Sequence, residues 1–376
     1  ILATQKIDRT TTESFTFDAR GNALTQESKT YRMDGSTEKL TTRRYITNSS
    51  IDNKGDARNQ TTESYKTTYA TVSGLEVATE ELVNVQVMTN RRFDGSHNIE
   101  NQNVATYDDI LQTMLLDTQE IRSSGYTSSG VATEQVIATY APPEGAKPAE
   151  LIDVKVITNG DIDSRGNVGT SVVTKYSSTD PLADNVLDTI DYSSPIDEQT
   201  TVSTNFDVFG NAPDQTTFKR WYDDKLTDGV AGGWKFLESQ EIENYDFDIY
   251  NQMHRSVVKT FGAATSVVTD GAAVITIDRT KFKDRQEIAV AADGYDKYGN
   301  IKRQTVDTYI KKSGTTPDPD DNGTLDLADH KVTVNTYGNA YAARRGNATF
   351  SETTRYYDIL ATQKIDRTTT ESFTFD

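Results

Sequence analysis

Several segments of the chain alternate apolar and polar residues with a period of two. The sequences VNVQVMTN at residues 83–90 and IDVKVITN at residues 152–159 align position for position. This alternation places Val83, Val85 and Val87 on one face, as in a half-buried β strand. No segment shows the 3.6-residue periodicity and the caps of an amphipathic helix. The pattern therefore predicts a chain that is mostly β.

A short turn motif recurs between these strands. It consists of an aromatic or aliphatic residue, Asp, two variable residues, Gly, and Asn or Asp. The five clearest copies contain the pairs Asp18 and Gly21, Asp52 and Gly55, Asp163 and Gly166, Asp207 and Gly210, and Asp296 and Gly299. The Asp side chain can accept from the backbone amide two residues on, and the Gly supplies the positive φ of a type I turn with a bulge. Each copy predicts the tip of a β-hairpin.

Two levels of repetition organise the chain. Four weaker copies of the motif, near residues 94, 127, 248 and 342, bring the number of hairpin subunits to about nine, and residues 359–376 repeat residues 1–18 without a change. We therefore predict that residues 1–358 form one large tandem unit and that residues 359–376 begin the next. Such hairpins are expected to stack into an elongated β-solenoid or fibre-like sheet array, because stacked neighbours bury each other's faces.

Composition narrows the classes of protein that fit. Hydrophobic residues make up 35% of the chain, below the roughly 45–50% of globular domains, which favours a thin stack over one large core. The net charge of −18 disfavours nucleic-acid binding. The lack of cysteine excludes disulfides and thiolate metal sites. No apolar run reaches the ~18–20 residues that a membrane span needs.

The copy YDKYGN at residues 295–300 resembles the YD (RHS-type) repeat of large bacterial surface and toxin proteins. Other copies replace the Tyr by Phe or Ile. The resemblance implies long β-sheet arrays on or outside the cell, which in some members wind into hollow shells around a toxin. The identical ends favour an open polymer over one closed shell. We expect an extracellular or cell-surface location.

Residues 318–329, DPDDNGTLDLAD, follow the ligand spacing of a twelve-residue calcium loop. The predicted ligands are the side-chain oxygens of Asp318, Asp320, Asn322 and Asp329, the Thr324 carbonyl, and Asp326 directly or through water. The flanking segments are typical of strands rather than EF-hand helices. The alternative interpretation is an acidic, solvated hairpin tip.

Three aromatic residues, Trp221, Tyr222 and Trp234, flank the Gly-rich segment 229–233. They suggest an exposed platform for a sugar, although cross-strand packing is the commoner role of such residues.

No nucleophile–base pair or catalytic metal centre stands out, so we predict that the protein is not an enzyme. The predicted function is a structural repeat segment of an extracellular filament, sheath or cell-surface fibre. Its partners would be adjacent copies of itself, along one chain or between subunits. Two alternatives are a calcium-stiffened adhesin or glycan-binding surface protein, and a YD-type shell around a toxin cargo.

Overall fold

The computed structural model describes residues 8–143, 149–178, 186–224, 232–269 and 272–372. Most of these residues lie in β strands, which confirms the prediction of an all-β chain. The chain divides into two compact units, one made of residues 1–124 and 137–152 and the other of residues 125–136 and 153–376. The predicted 358-residue tandem unit and the elongated array of hairpins stay predictions.

The first unit contains an antiparallel meander in which each strand pairs with the next. Its strands are β1 (Asp8–Phe17), β2 (Ala23–Asp34), β3 (Thr37–Ile51), β4 (Ala57–Val72), β5 (Leu75–Phe93), β6 (Ile99–Tyr107) and β7 (Leu115–Tyr126). The strands β7, β8 (Ala132–Tyr140) and β9 (Leu151–Ile162) contribute residues to both units.

The second unit contains a second meander, which runs from β9 to the end of the described chain. Its further strands are β10 (Val168–Ser178), β11 (Ile190–Thr204), β12 (Asp214–Asp223), β13 (Gly233–Phe247), β14 (Met253–Phe261), β15 (Ala264–Thr269), β16 (Ala272–Ile277), β17 (Phe282–Val290), β18 (Arg303–Lys311), β19 (Leu325–Thr336), β20 (Phe350–Tyr356) and β21 (Lys364–Glu371). Strands β15 and β16 form a separate hairpin between β14 and β17. Short 3-10 helices span Val186–Asp188, Arg279–Lys281 and Asn322–Thr324.

The buried positions of the strands are filled largely by small polar residues. Fully buried apolar side chains such as Val85, Val154 and Phe261 lie among buried hydroxyl residues such as Thr106 and Ser239. Threonine is β-branched and fits a pleated surface as valine does. Threonine can therefore occupy interior positions of a sheet, which explains how so polar a chain fills these strands.

The ninth predicted hairpin tip differs from the others. Strands β19 and β20 pair in an antiparallel manner, but the connection contains a short helix, α1 (Ala340–Arg344). The side chain of Asn339 caps this helix by accepting from the amides of Tyr341 and Ala342 at 2.8 and 3.2 Å. Ala342 stands where seven of the eight other copies carry Asp and the eighth carries Thr127, so no carboxylate closes a tight turn there, and alanine favours helix.

Candidate functional site: a row of repeated turns

The repeated turns lie at one end of the strands in each meander. In the first unit they occupy residues 18–22, 52–56 and 94–98, between β1 and β2, β3 and β4, and β5 and β6. In the second unit they occupy residues 163–167, 207–211, 248–252 and 296–300. Because a meander reverses at alternate ends, every second connection lies at the same end. We call these turns, within each unit, the turn row.

The first turn shows the geometry. The Asp18 carboxylate accepts through Oδ1 from the amides of Arg20 and Asn22, at 2.8 and 2.9 Å, and through Oδ2 from Asn22 Nδ2 at 2.9 Å. The amide of Gly21 donates to the Asp18 carbonyl at 3.1 Å. Gly21 has a φ of 87°, which residues with a Cβ rarely adopt. One carboxylate therefore satisfies three donors of the turn.

The other clear copies repeat this geometry. Asp52, Asp163, Asp207 and Asp296 each accept from the amide two residues on, at 2.8–2.9 Å. Their glycines, Gly55, Gly166, Gly210 and Gly299, have φ values of 93°, 88°, 84° and 89°. Two weaker copies place His97 and Asn251 in the same left-handed region, with φ values of 67° and 62°. The repeated sequence thus corresponds to a repeated backbone conformation.

The hydrogen bonds of four of these turns stabilise their Asp carboxylates in the charged form. The side-chain amide of Asn22, followed by its backbone amide, lowers the pKa of Asp18 to about 2. The pKa of Asp94 is lowered for the same first cause, the side chain of Asn98. Backbone donors lower the pKa of Asp52 and of Asp163, chiefly the amides of Lys54 and Asn167. Each of these turns is therefore held by an ionised carboxylate at neutral pH.

Side chains also join one turn to the next within a unit. The guanidinium of Arg20 donates to the carbonyls of Ile51 and Asp52, each at 2.8 Å. Arg165, at the matching position of its own turn, donates to the carbonyl of Asp207 at 3.0 Å. Arg20 and Arg165 therefore connect successive hairpins by the same contact in both units.

The Asn at the fifth position of the turn lies against the glycine of the following turn. A Cβ added to Gly55 would lie 3.2 Å from Asn22 Oδ1, and one added to Gly210 would lie 2.8 Å from Asn167 Oδ1. Asn300 donates to its own Asp296 at 2.8 Å and to the carbonyl of Ala343 in α1 at 2.6 Å. Gly55 and Gly210 therefore combine a positive φ with the room that this close approach needs.

A second asparagine, at the end of an incoming strand, also links hairpins. Asn48, Asn159 and Asn335 donate to the carbonyls of Ala23, Ala132 and Ile301, at 3.1, 3.1 and 2.9 Å. The shared Thr-Asn endings of residues 47–48 and 158–159 were visible in the sequence. Their role was missed, because the acceptor belongs to the preceding hairpin and no local spacing points to it.

The residues of the predicted calcium loop are engaged with the protein's own groups. Asp320 forms ion pairs with Lys259 and Arg279, and Asn322 Oδ1 accepts from Arg285 at 2.5 Å. The carbonyl of Thr324 accepts from the amide of Lys312 at 2.9 Å.

The other predicted ligands are divided between the loop and strand β19. Asp318 Oδ1 accepts from the amide of Asp320 at 3.0 Å, while Asp326 and Asp329 belong to strand β19. Among the described residues, no group of three or more His, Asp or Glu side chains is placed to hold a metal ion. Calcium binding stays a prediction.

The three residues of the predicted sugar platform do not share one face. Tyr222 and Trp234 are directly paired across β12 and β13, with ring centroids 5.4 Å apart, and the Arg220 guanidinium lies 4.4 Å from the Trp234 ring. Trp221 is paired with Lys235 and lies on the opposite face, since side chains alternate along a strand. Tyr222 and Trp234 form a cross-strand packing pair. Residues 225–231, which include part of the Gly-rich segment, lie outside the described residues.

The contacts of the turn row are suited to holding strands in register. The carboxylates of the turn row accept from the turn's own amides, and Arg20 and Arg165 donate to carbonyls of the next turn.

No helix in the described part of the chain has the length and hydrophobicity to cross a membrane.

No protein-family model and no curated protein matches the chain. Among solved structures it is similar to TcdB2-TccC3-TEV, at 9% identity and a TM-score of 0.16 over 94% of this chain. It is also similar to TcdB2-TccC3 without its hypervariable C-terminal region, at 9% identity and a TM-score of 0.13 over 92% of this chain. The chain spans about 22% of the length of either structure.

Proposed function

We propose that the chain is a structural repeat segment of an extracellular filament, sheath or cell-surface fibre. The observation that carries this proposal is that residues 359–376 repeat residues 1–18 without a change. Recurring turn contacts also join successive hairpins within each unit. Structures of this kind gain stability from each neighbouring pair of units, so their length is not limited by the size of a core. Residues 1–7 and 373–376 of the duplicated segment lie outside the described residues.

The duplicated segment suggests how one unit would continue into the next. Its first copy forms β1 and pairs with the following strand, with Arg9 opposite Tyr31. Its second copy forms β21 and pairs with the preceding strand, with the equivalent Arg367 opposite Thr354. In a tandem array a single copy would have both partners, one on each edge. Every junction would then be the same, which suits an open polymer, and a sheet edge is a ready template for further pairing.

Hydrogen exchange can test the shared strand. We would produce a chain of two repeats, with residues 1–358 followed by residues 1–376, and mark the middle copy of the segment by Thr369→Ser so that its peptide has a distinct mass. The proposal predicts that amides of the middle copy exchange at least about tenfold more slowly than those of the outer copies, because both edges are hydrogen-bonded. Equal exchange in all copies would contradict it.

The similarity of residues 295–300 to the YD repeat agrees with this proposal, since that family's arrays lie on or outside the cell. The same resemblance would also fit a shell around a cargo. Electron microscopy of the two-repeat chain separates the two, because a shell gives hollow closed particles whereas a fibre gives particles that lengthen with each repeat.

A further inference from the structure

A buried lysine lies beneath the loop that joins β18 to β19. Lys259, in β14, is 7% exposed. Its Nζ lies 2.5 Å from Asp320 Oδ1 and 2.6 Å from Glu243 Oε1. Lysine is seldom buried to this extent unless it is paired. Here one amine contacts two carboxylates that come from different parts of the chain.

Different parts of the fold hold Lys259, Glu243 and Asp320 in place. Glu241 of β13 is directly opposite Lys259 in β14, so Glu243, two residues further along, is its diagonal neighbour on the same face. The loop carrying Asp320 is fixed from β17 by Arg285, which donates to the Pro319 carbonyl at 3.2 Å. The amine and the carboxyl are thus held in contact by strand pairing on one side and by a buried guanidinium on the other.

A second cation contacts the same carboxyl group. The guanidinium of Arg279 hydrogen-bonds to the other oxygen, Asp320 Oδ2, and is itself held by Glu241 at 2.9 Å. The Asp320 carbon therefore lies between an amine and a guanidinium. A fixed guanidinium is the kind of group that stabilises an oxyanion when a nucleophile attacks a carboxyl carbon.

We propose that Lys259 and Asp320 condense to form an intramolecular amide cross-link, with Glu243 as the proton-transfer group. The Glu243 carboxylate passes a proton from the Lys259 ammonium to Asp320 Oδ1, and the neutral amine attacks Cγ of the resulting carboxylic acid. The charge that develops on Oδ2 faces Arg279. Glu243 then carries a second proton from the nitrogen to Oδ1, which leaves as water. An ammonium and a carboxylate become an amide and one water, and Glu243 ends as a carboxylate.

The closeness of the Lys259 amine to the Asp320 carboxyl is what would make this step possible. An amide does not form spontaneously from a free ammonium and carboxylate in water. Groups held in contact by a folded chain can reach effective concentrations of about 10⁵–10⁸ M. The product would join β14 covalently to the β18–β19 loop, in a chain that has no cysteine with which to form a disulfide.

Intact mass spectrometry of the purified, folded chain tests the cross-link. The cross-linked protein is lighter by about 18 Da, the mass of one water, and digestion yields a branched peptide joining Lys259 to Asp320. The Asp320→Asn variant is expected to form the same amide with loss of ammonia, about 17 Da. The Glu243→Gln variant is expected to react about 100-fold more slowly or worse, because the proton-transfer group is gone.

Two controls make the result decisive. Lys259→Arg keeps the positive charge and must abolish the mass loss, whereas Lys219→Arg, at an ion pair with Glu238 of 2.8 Å, must leave it unchanged. A wild-type chain that is folded by circular dichroism and retains its full mass after prolonged incubation overturns the proposal. A mass loss that maps to any other pair of residues also overturns it.

Discussion

The two ends of the strands are built in different ways. At the turn row, connections are closed by the same five-residue turn, with an Asp carboxylate, a residue of positive φ and contacts to the next turn. At the other end the connections range from the tight turn at Ser73 and Gly74 to the long loop at residues 312–324 that is held by Lys259 and Arg285. The turn motif is therefore repeated at one end of the strands, whereas the connections at the other end differ more in length and sequence.

Glycine substitutions are expected to give the largest difference in stability between the two ends of the strands. Gly210 in the turn row and Gly314 in the β18–β19 loop have φ values of 84° and 81°, but only Gly210 lies against another turn. Both Gly→Ala changes carry the cost of a left-handed residue, about 1–2 kcal/mol. Gly210→Ala must also displace Asn167, whose side chain is bonded to Asp163 at 2.8 Å. We expect it to be more destabilising than Gly314→Ala by about 1–2 kcal/mol, measured by urea denaturation. Equal losses would mean that the turns do not support one another.

Asparagine substitutions test the contacts between neighbouring turns of the turn row. Asn300→Ala removes a bond to Asp296 and a bond to the Ala343 carbonyl, whereas Asn167→Ala removes the matching bond to Asp163. At about 1 kcal/mol per hydrogen bond, the losses should be about 2 and about 1 kcal/mol in the free energy of unfolding. A loss for Asn300→Ala no larger than that for Asn167→Ala would show that the link to α1 contributes nothing.

The turn row also predicts the response to acid. The pKa of Asp18 is about 2 in the folded chain and 3.8 when unperturbed, and the pKa values of Asp52, Asp94 and Asp163 are also lowered. A carboxyl whose pKa is lowered by folding contributes stability that is complete above about pH 4–5 and is lost as the pH falls through the folded pKa. The melting temperature should therefore fall between pH 5 and pH 2.

The Asp18→Asn variant provides the control for the acid effect. It cannot titrate at this position, so its melting temperature is expected to start lower at pH 5 and to fall less by pH 2. A variant whose melting temperature falls as steeply as that of the wild type would assign the acid effect to other carboxyl groups.

The smallest change in stability is expected from metal removal at the predicted calcium loop, residues 318–329. The side chains of Asp320 and Asn322 in the predicted calcium loop are paired with Lys259, Arg279 and Arg285. The predicted calcium loop implies that chelation lowers the melting temperature and speeds cleavage within residues 318–329, and the effect is expected to be small because these cations compete with calcium for two of its ligands. Equal behaviour with and without chelator would remove the site.

The sequence was most informative where contacts are local. The Asp and Gly of each turn interact within five residues, so their spacing predicted both the acceptor carboxylate and the position of positive φ. Another shared segment, at residues 110–117 and 359–366, follows Asp109 in one unit and Asp358 in the other. Each of these two carboxylates accepts from a Thr hydroxyl four residues on, at 2.7 and 2.9 Å.

Contacts between distant segments could not be predicted from local sequence spacing. The acceptor of Asn159 lies in the preceding hairpin, and Glu243, Lys259 and Asp320 meet only because β13, β14 and the β18–β19 loop are brought together. The spacing of residues 318–329 matched a calcium loop, but spacing does not reveal that neighbouring strands supply lysine and arginine to the same oxygens. Trp221 was grouped with its neighbours although strand alternation separates it from them.

We propose that the chain is one segment of an open array in which the strand at residues 359–376 of one unit serves as the strand at residues 1–18 of the next. Electron microscopy of chains that contain one, two and three 358-residue repeats tests this arrangement. We expect continuous elongated particles whose length increases by the same amount with each repeat. Separate globular particles on a tether, or closed particles that do not lengthen, would contradict it.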